Sequence, residues 1–221
     1  MTKKKRKQKK KLQMKNKKLI KKYPWLLPRN VWTDKVLEDY DYTYTELDCI
    51  PAGWMKAFGM MMVKEYDNEL RKYNFQRKYR IVQIKEKFGQ LRWYDNGHVG
   101  NMGDINSKYE TISENICIRC GCEAPMIDTG WMSPYCFQCF RYIYNRRWKG
   151  DKTDDELREL YKEFCCEEIR EDEKYMRDSF KYTRFSTDGK ETVTVDISDT
   201  VQKIRNRQKK WIPKKIKYIG E

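Results

Sequence analysis

Four cysteines stand at a spacing that suits a metal ion. Cys117/Cys120 and Cys136/Cys139 are two Cys-x-x-Cys pairs with fifteen residues between them. Zinc is held by four thiolates in a tetrahedron, and two residues between paired cysteines let one tight turn aim both sulfurs at the same ion. Gly121 directly follows the first pair, where such a turn calls for a positive φ. With thiolate in all four positions the ion has no open coordination site. A structural Zn2+ is therefore expected, one that holds the chain and does not activate water. The competing reading is a set of buried or disulfide-bonded cysteines. The remaining four, Cys49, Cys122, Cys165 and Cys166, show no framework spacing, and a reducing compartment fits best. Cys122 stands near enough to Cys120 to exchange with it as a ligand.

Other reactive constellations are scarce. His98 is the one histidine, placed beside Asn96-Gly97, and reads as polar surface. A His-Asn-His nuclease or a serine or cysteine hydrolase needs a histidine set that this chain does not own. No Walker-type phosphate loop is present. A carboxylate-plus-lysine nuclease finds only a thin counterpart in Asp67 and Gln83-Ile84-Lys85. A non-enzymatic role is expected.

Charge is distributed unevenly along the 221 residues. Residues 1–22 carry +13, residues 199–221 carry +6, and the whole chain is +15, so the stretch between is mildly acidic at −4. Lysines neutralising phosphates release counterions and bind nucleic acid without sequence preference. The candidate contacts are Lys3, Lys4, Lys5, Arg6 and Lys7 in the basic N-terminus, and Arg141, Arg146 and Arg147 after the second cysteine pair. Near the C-terminus they are Arg205, Arg207, Lys209 and Lys210, with Trp211 as a stacking group. The competing reading of the N-terminus is a solubilising tail. No apolar run has the length of a membrane helix.

The elements that must position these groups give an α+β expectation: a small helix and β-hairpin body, a treble-clef-like zinc module with four cysteine ligands, and a C-terminal helical extension. Residues 1–22 are expected to be a disordered basic tail, because like charges this dense repel. Residues 23–115 form the body. Within it the apolar residues at 54, 58, 61, 62, 66 and 70 make a helical stripe, with Lys64, Asp67 and Lys72 on its polar face. A hairpin over roughly 80–87 and 90–95 follows, with Val82, Ile84 and Phe88 on one face. Ile105, Tyr109, Ile112 and Ile116 mark a short helix. Residues 116–150 form the zinc module: a knuckle, a short hairpin between the pairs, then a helix through Phe140, Ile143 and Tyr144. Residues 151–221 are expected to hold one long acidic helix to about 178, opened by a Thr153-Asp-Asp-Glu156 capping box, then a short strand and the basic C-terminal segment.

The stretch Ile81-Val82-Gln83-Ile84-Lys85-Glu86-Lys87-Phe88-Gly89-Gln90-Leu91-Arg92-Trp93-Tyr94 resembles a signature of small uncharacterised bacteriophage and prophage zinc-knuckle proteins. In that family a helix, a C-x-x-C-G motif, a glycine-tryptophan segment and a second metal pair follow. Here they correspond to Cys117-x-x-Cys120-Gly121, Gly130-Trp131 and Cys136-x-x-Cys139. Cys139 stands where histidine is common, a change zinc tolerates. The resemblance covers about residues 50–140. It implies the fold and a phage origin, hence the cytoplasm of an infected or lysogenic bacterial host, and transfers no activity. Two partner classes are expected: nucleic acid through the basic ends, or a host or virion protein.

Overall fold

The structure, a computed structural model, describes residues 2–30, 32–148, 152–166, 180–185 and 191–208. Its first element corrects the expectation of a disordered tail, because Lys3–Lys22 form helix α1. Lysine, glutamine, leucine and methionine are strong helix formers, and Thr2 caps the first turn. The second half of α1 is also docked. Gln13 Nε2 donates to the Asp41 carbonyl at 2.8 Å and Asn16 Nδ2 to the Tyr42 carbonyl at 2.9 Å, while Lys9 pairs with Asp41 at 2.8 Å. Ile20 is buried, and the following 3-10 turn drops Trp25 and Leu26 into the core.

The central rod is helix α2, Ala52–Trp54, a π-helical turn over Met55–Gly59, and helix α3, Met60–Lys72. Trp54, Phe58, Met62, Tyr66 and Leu70 recur every four residues and are buried together. Asp67 departs from the expected polar face. It is buried, accepting from Trp25 Nε1 at 3.3 Å, Arg71 Nε at 2.7 Å and Gln76 Nε2 at 2.7 Å.

Strands β1, Ile81–Lys87, and β2, Gln90–Asp95, form the expected antiparallel hairpin. The expected face is corrected in part: Ile84 is buried, but Val82 and Phe88 are exposed. A register shift between Ile81 and Gln83 turns Val82 outward, and Phe88 sits in the turn itself with Gly89. Helix α4, Met102–Ser113, closes this body and buries Met102, Ile105, Tyr109 and Ile112.

Strands β3, Met126–Asp128, and β4, Met132–Pro134, make the hairpin between the cysteine pairs. Helix α5, Phe137–Trp148, carries Cys139. Helix α6, Asp154–Phe164, opens with the expected capping box and lays Leu157 and Tyr161 inward. The long helix to 178 is corrected: Cys165 is extended and bridges Ile127, so α6 ends at Phe164. Glu159 and Glu163 lie on α6, whereas Glu167, Glu168, Glu171, Asp172 and Glu173 fall outside the described residues. The expected single strand near 193–197 proves to be half of a hairpin, β5, Lys181–Phe185, with β6, Thr192–Asp196. Helix α7, Ser198–Gln208, follows it.

One apolar cluster runs from Ile20 through Trp54 and Leu91 to Phe180, Ile197, Val201 and Ile204, so the C-terminal elements complete the body's core. Ile127, Phe140 and Tyr161 form a separate small core between β3, α5 and α6.

Candidate metal centre and basic surfaces

The first cysteine pair sits on a backbone knuckle. Gly121 N donates to the Cys117 carbonyl at 2.9 Å, and Cys117 N donates to the Cys122 carbonyl at 2.7 Å. Gly121 has φ +80°, and a Cβ there would lie 2.5 Å from the Gly53 carbonyl oxygen. Glycine is therefore required twice over, by the turn and by the approach of the central rod. Gly53 N donates to the Ile118 carbonyl at 2.9 Å and Trp54 Nε1 to the Ile116 carbonyl at 2.7 Å, which sets the knuckle on the start of α2.

The second pair is delivered by the end of the β3–β4 hairpin and the first turn of α5. Ile118 N donates to the Pro134 carbonyl at 2.9 Å, tying knuckle to hairpin, and Phe140 N donates to the Cys136 carbonyl at 2.9 Å. The four Sγ atoms of Cys117, Cys120, Cys136 and Cys139 converge within 4.8 Å of one another, with Cys120 and Cys136 at 3.5 Å. Four sulfurs each about 2.3 Å from one zinc ion lie roughly 3.8 Å apart, so the set is sized for a tetrahedral metal. The Cys120 thiol is pulled far down, first by its hydrogen bond with Cys117 and then by those with Cys122, Cys136 and Cys139. Cys136 and Cys139 are pushed up, first by their hydrogen bonds with Cys117. Holding a metal ion requires all four as thiolates, so binding would release protons.

The site is locked from the far end of the chain. Gln208 Nε2, buried on α7, donates to the Gly121 carbonyl at 2.7 Å, and Arg205 pairs with Glu123 beside the knuckle. Neither residue was visible as part of the site in sequence, since 87 positions separate Gln208 from Gly121.

The basic candidates separate into groups. Lys3, Lys4, Lys5, Arg6 and Lys7 are exposed on the first turns of α1. Arg141 is tied to Asp154 of α6 at 3.0 Å, and Arg146 donates to the Tyr142 hydroxyl at 3.0 Å. Arg147 lies on α5, its side chain outside the described residues. Arg205 is committed to Glu123 and lies over the Phe180 ring, whereas Arg207 is exposed. Lys209, Lys210 and Trp211 lie outside the described residues. The structure thus gathers the four cysteines, while the described cations stand on α1, α5 and α7. His98 faces the buried Asp95 carboxylate at 3.1 Å.

Fold and site together define a mixed helix and antiparallel-hairpin protein with a tetra-cysteine group able to hold a metal ion. No family model, no curated protein and no solved structure matches the chain. Among the described residues no helix is long and apolar enough to cross a membrane.

Proposed function

We propose that the chain is a non-catalytic, zinc-stabilised nucleic-acid-binding protein of bacteriophage or prophage origin, working in the cytoplasm of an infected or lysogenic bacterial host. Zinc is the metal of choice for four thiolates, and the order knuckle, hairpin, helix supports a treble-clef-like reading of the module. The observation that carries the binding function is α1. Twelve lysines and Arg6 stand within residues 1–22 without one acid, on a helix whose outer half is fully exposed and whose inner half is fixed to the body. A helix of this length is about 30 Å long and carries the cations of its outer half all round its axis.

The test is a salt series on the full chain and on a variant lacking residues 1–8, which removes Lys3, Lys4, Lys5, Arg6 and Lys7 but leaves the docked half. The full chain binds DNA or RNA with little sequence preference, and affinity falls steeply with salt. The truncation makes the slope of log K against log salt shallower by up to about 4. Binding absent even at low salt, or a slope untouched by truncation, overturns the reading. It would move forward a second one, a module that docks on a host or virion protein. That reading is favoured by Trp32, 93% exposed on the loop between Arg29 and Val36.

A further inference from the structure

The tips of two hairpins meet on the surface near the metal centre and present aromatic rings to solvent. Phe88 is in the β1–β2 turn and Trp131 in the β3–β4 turn. Their rings stack at 5.5 Å with 26° between planes, yet they remain 54% and 55% exposed. Two large rings that pack on each other and leave that much surface open gain little from burial.

The backbone makes the arrangement stranger. Phe88 has φ +52° and Gly89 φ +77°, a two-residue turn in which both positions are left-handed. Asparagine or aspartate followed by glycine suits such a turn, while a bulky side chain is strained there. Phenylalanine therefore costs stability at this position and is not repaid by a core contact. Strain of this kind gathers where a side chain must be aimed.

Glu86 fixes the aim. Its Oε1 accepts from the Gly89 amide at 2.6 Å and from Trp131 Nε1 at 3.4 Å, so one carboxylate ties both tips. The surroundings are cationic and aromatic. Lys87 Nζ lies 5.5 Å from the Phe88 ring centre, and Lys85 Nζ lies 5.3 Å from that of Tyr94. Against Trp131 a recess of about 270 Å³ opens, lined by Ile127, Thr129, Tyr135 and Phe140.

We infer that the Phe88–Trp131 pair is a stacking platform for the bases of single-stranded nucleic acid, with Lys87 serving its phosphates. The inference rests on the nucleic-acid reading above and adds a site and a strand preference to it. Every base offers a ring face, so stacking tolerates any sequence, but a duplex keeps those faces hidden. Lysine is depleted at protein–protein interfaces, whereas Lys87 borders these rings.

The experiment compares Phe88→Asn and Trp131→Ala with the full chain, by anisotropy of a dye-labelled oligothymidylate and of a labelled duplex. Asparagine accepts the left-handed turn, so F88N keeps or raises the melting temperature while removing the ring. Each variant weakens single-strand binding about ten-fold and leaves duplex binding and the salt slope unchanged. Unchanged single-strand affinity in F88N, with the 1–8 truncation still flattening the slope, overturns the platform and leaves the broader reading standing. An equal loss for strand and duplex also overturns it. A full chain that binds neither form removes both. A dimer in light scattering that F88N turns into monomer assigns the tips to a second copy of the chain and overturns the platform.

Discussion

Three residues show how much of this molecule hangs on single atoms. Cys117 is fully buried and supplies one of the four sulfurs, so Cys117→Ser should drop the metal content of purified protein below one ion per chain. Because metal binding of this kind carries folding free energy, amides from Ile116 to Trp148 should exchange faster in the same variant. Zinc at one per chain in the parent, lost to a chelator together with that protection, is the matching observation. Asp67 is a different case. It satisfies Trp25, Arg71 and Gln76 at once from a buried position. Asp67→Ala should cost about 2–3 kcal/mol in urea unfolding, because the donors left behind are partly shut off from water. Gly121→Ala meets both a left-handed backbone and the Gly53 carbonyl, and should weaken metal retention without touching a ligand.

At the scale of elements, α1 and α6 make separate predictions. Removing residues 1–8 should leave the melting temperature unchanged, since the described residues before Lys9 are exposed and their cap lies within α1 itself. Removing residues 1–22 should lower it, because Asn16 and Ile20 are buried and their partners would be exposed. For α6, Thr153→Ala should cost about 1 kcal/mol by deleting a reciprocal cap with Glu156. The Glu156 carboxyl is held below its ordinary value, first by the Thr153 amide. Its contribution is complete above that ordinary value and fades as pH falls through the lowered one, so acid should narrow the gap between parent and variant. These elements also mark what the sequence reveals. Cysteine spacing, the period of Trp54 to Leu70 and the capping box at Thr153 are local signals, and the structure contains the elements they indicate. The fate of α1 was hidden because its order depends on carbonyls of Asp41 and Tyr42 far along the chain. The end of α6 was hidden because Cys165 leaves the helix to pair with Ile127, a tertiary contact that no helical period encodes. Asp67 followed the polar rule for its type until Trp25 and Gln76 were brought to it.

Helices from the first and last parts of the described chain pack into one core. α1 enters through Ile20, and α7 closes it through Val201 and Ile204. The −4 middle carries most of the packing while the charge stands at the ends. Ile204→Ala should therefore act at a distance, costing about 2–4 kcal/mol in unfolding and loosening the knuckle that α7 supports. Hydrogen exchange at Cys117 to Cys122 is the readout, with α6 protection unchanged as the internal control.

The bond from Gln208 to the Gly121 carbonyl also fixes an order of events during synthesis. A ribosome makes the knuckle, both cysteine pairs and the small core around Phe140 well before it makes α7. The metal-binding loop is thus complete on the nascent chain, while its latch is still unmade. An ion bound in that interval would meet an unlatched turn, and its retention would rest on the finished chain. A Gln208→Ala chain would keep the ligands and the core and lose the latch. Its ion should pass to a competing chelator faster than that of the parent chain, with the same stoichiometry at the start.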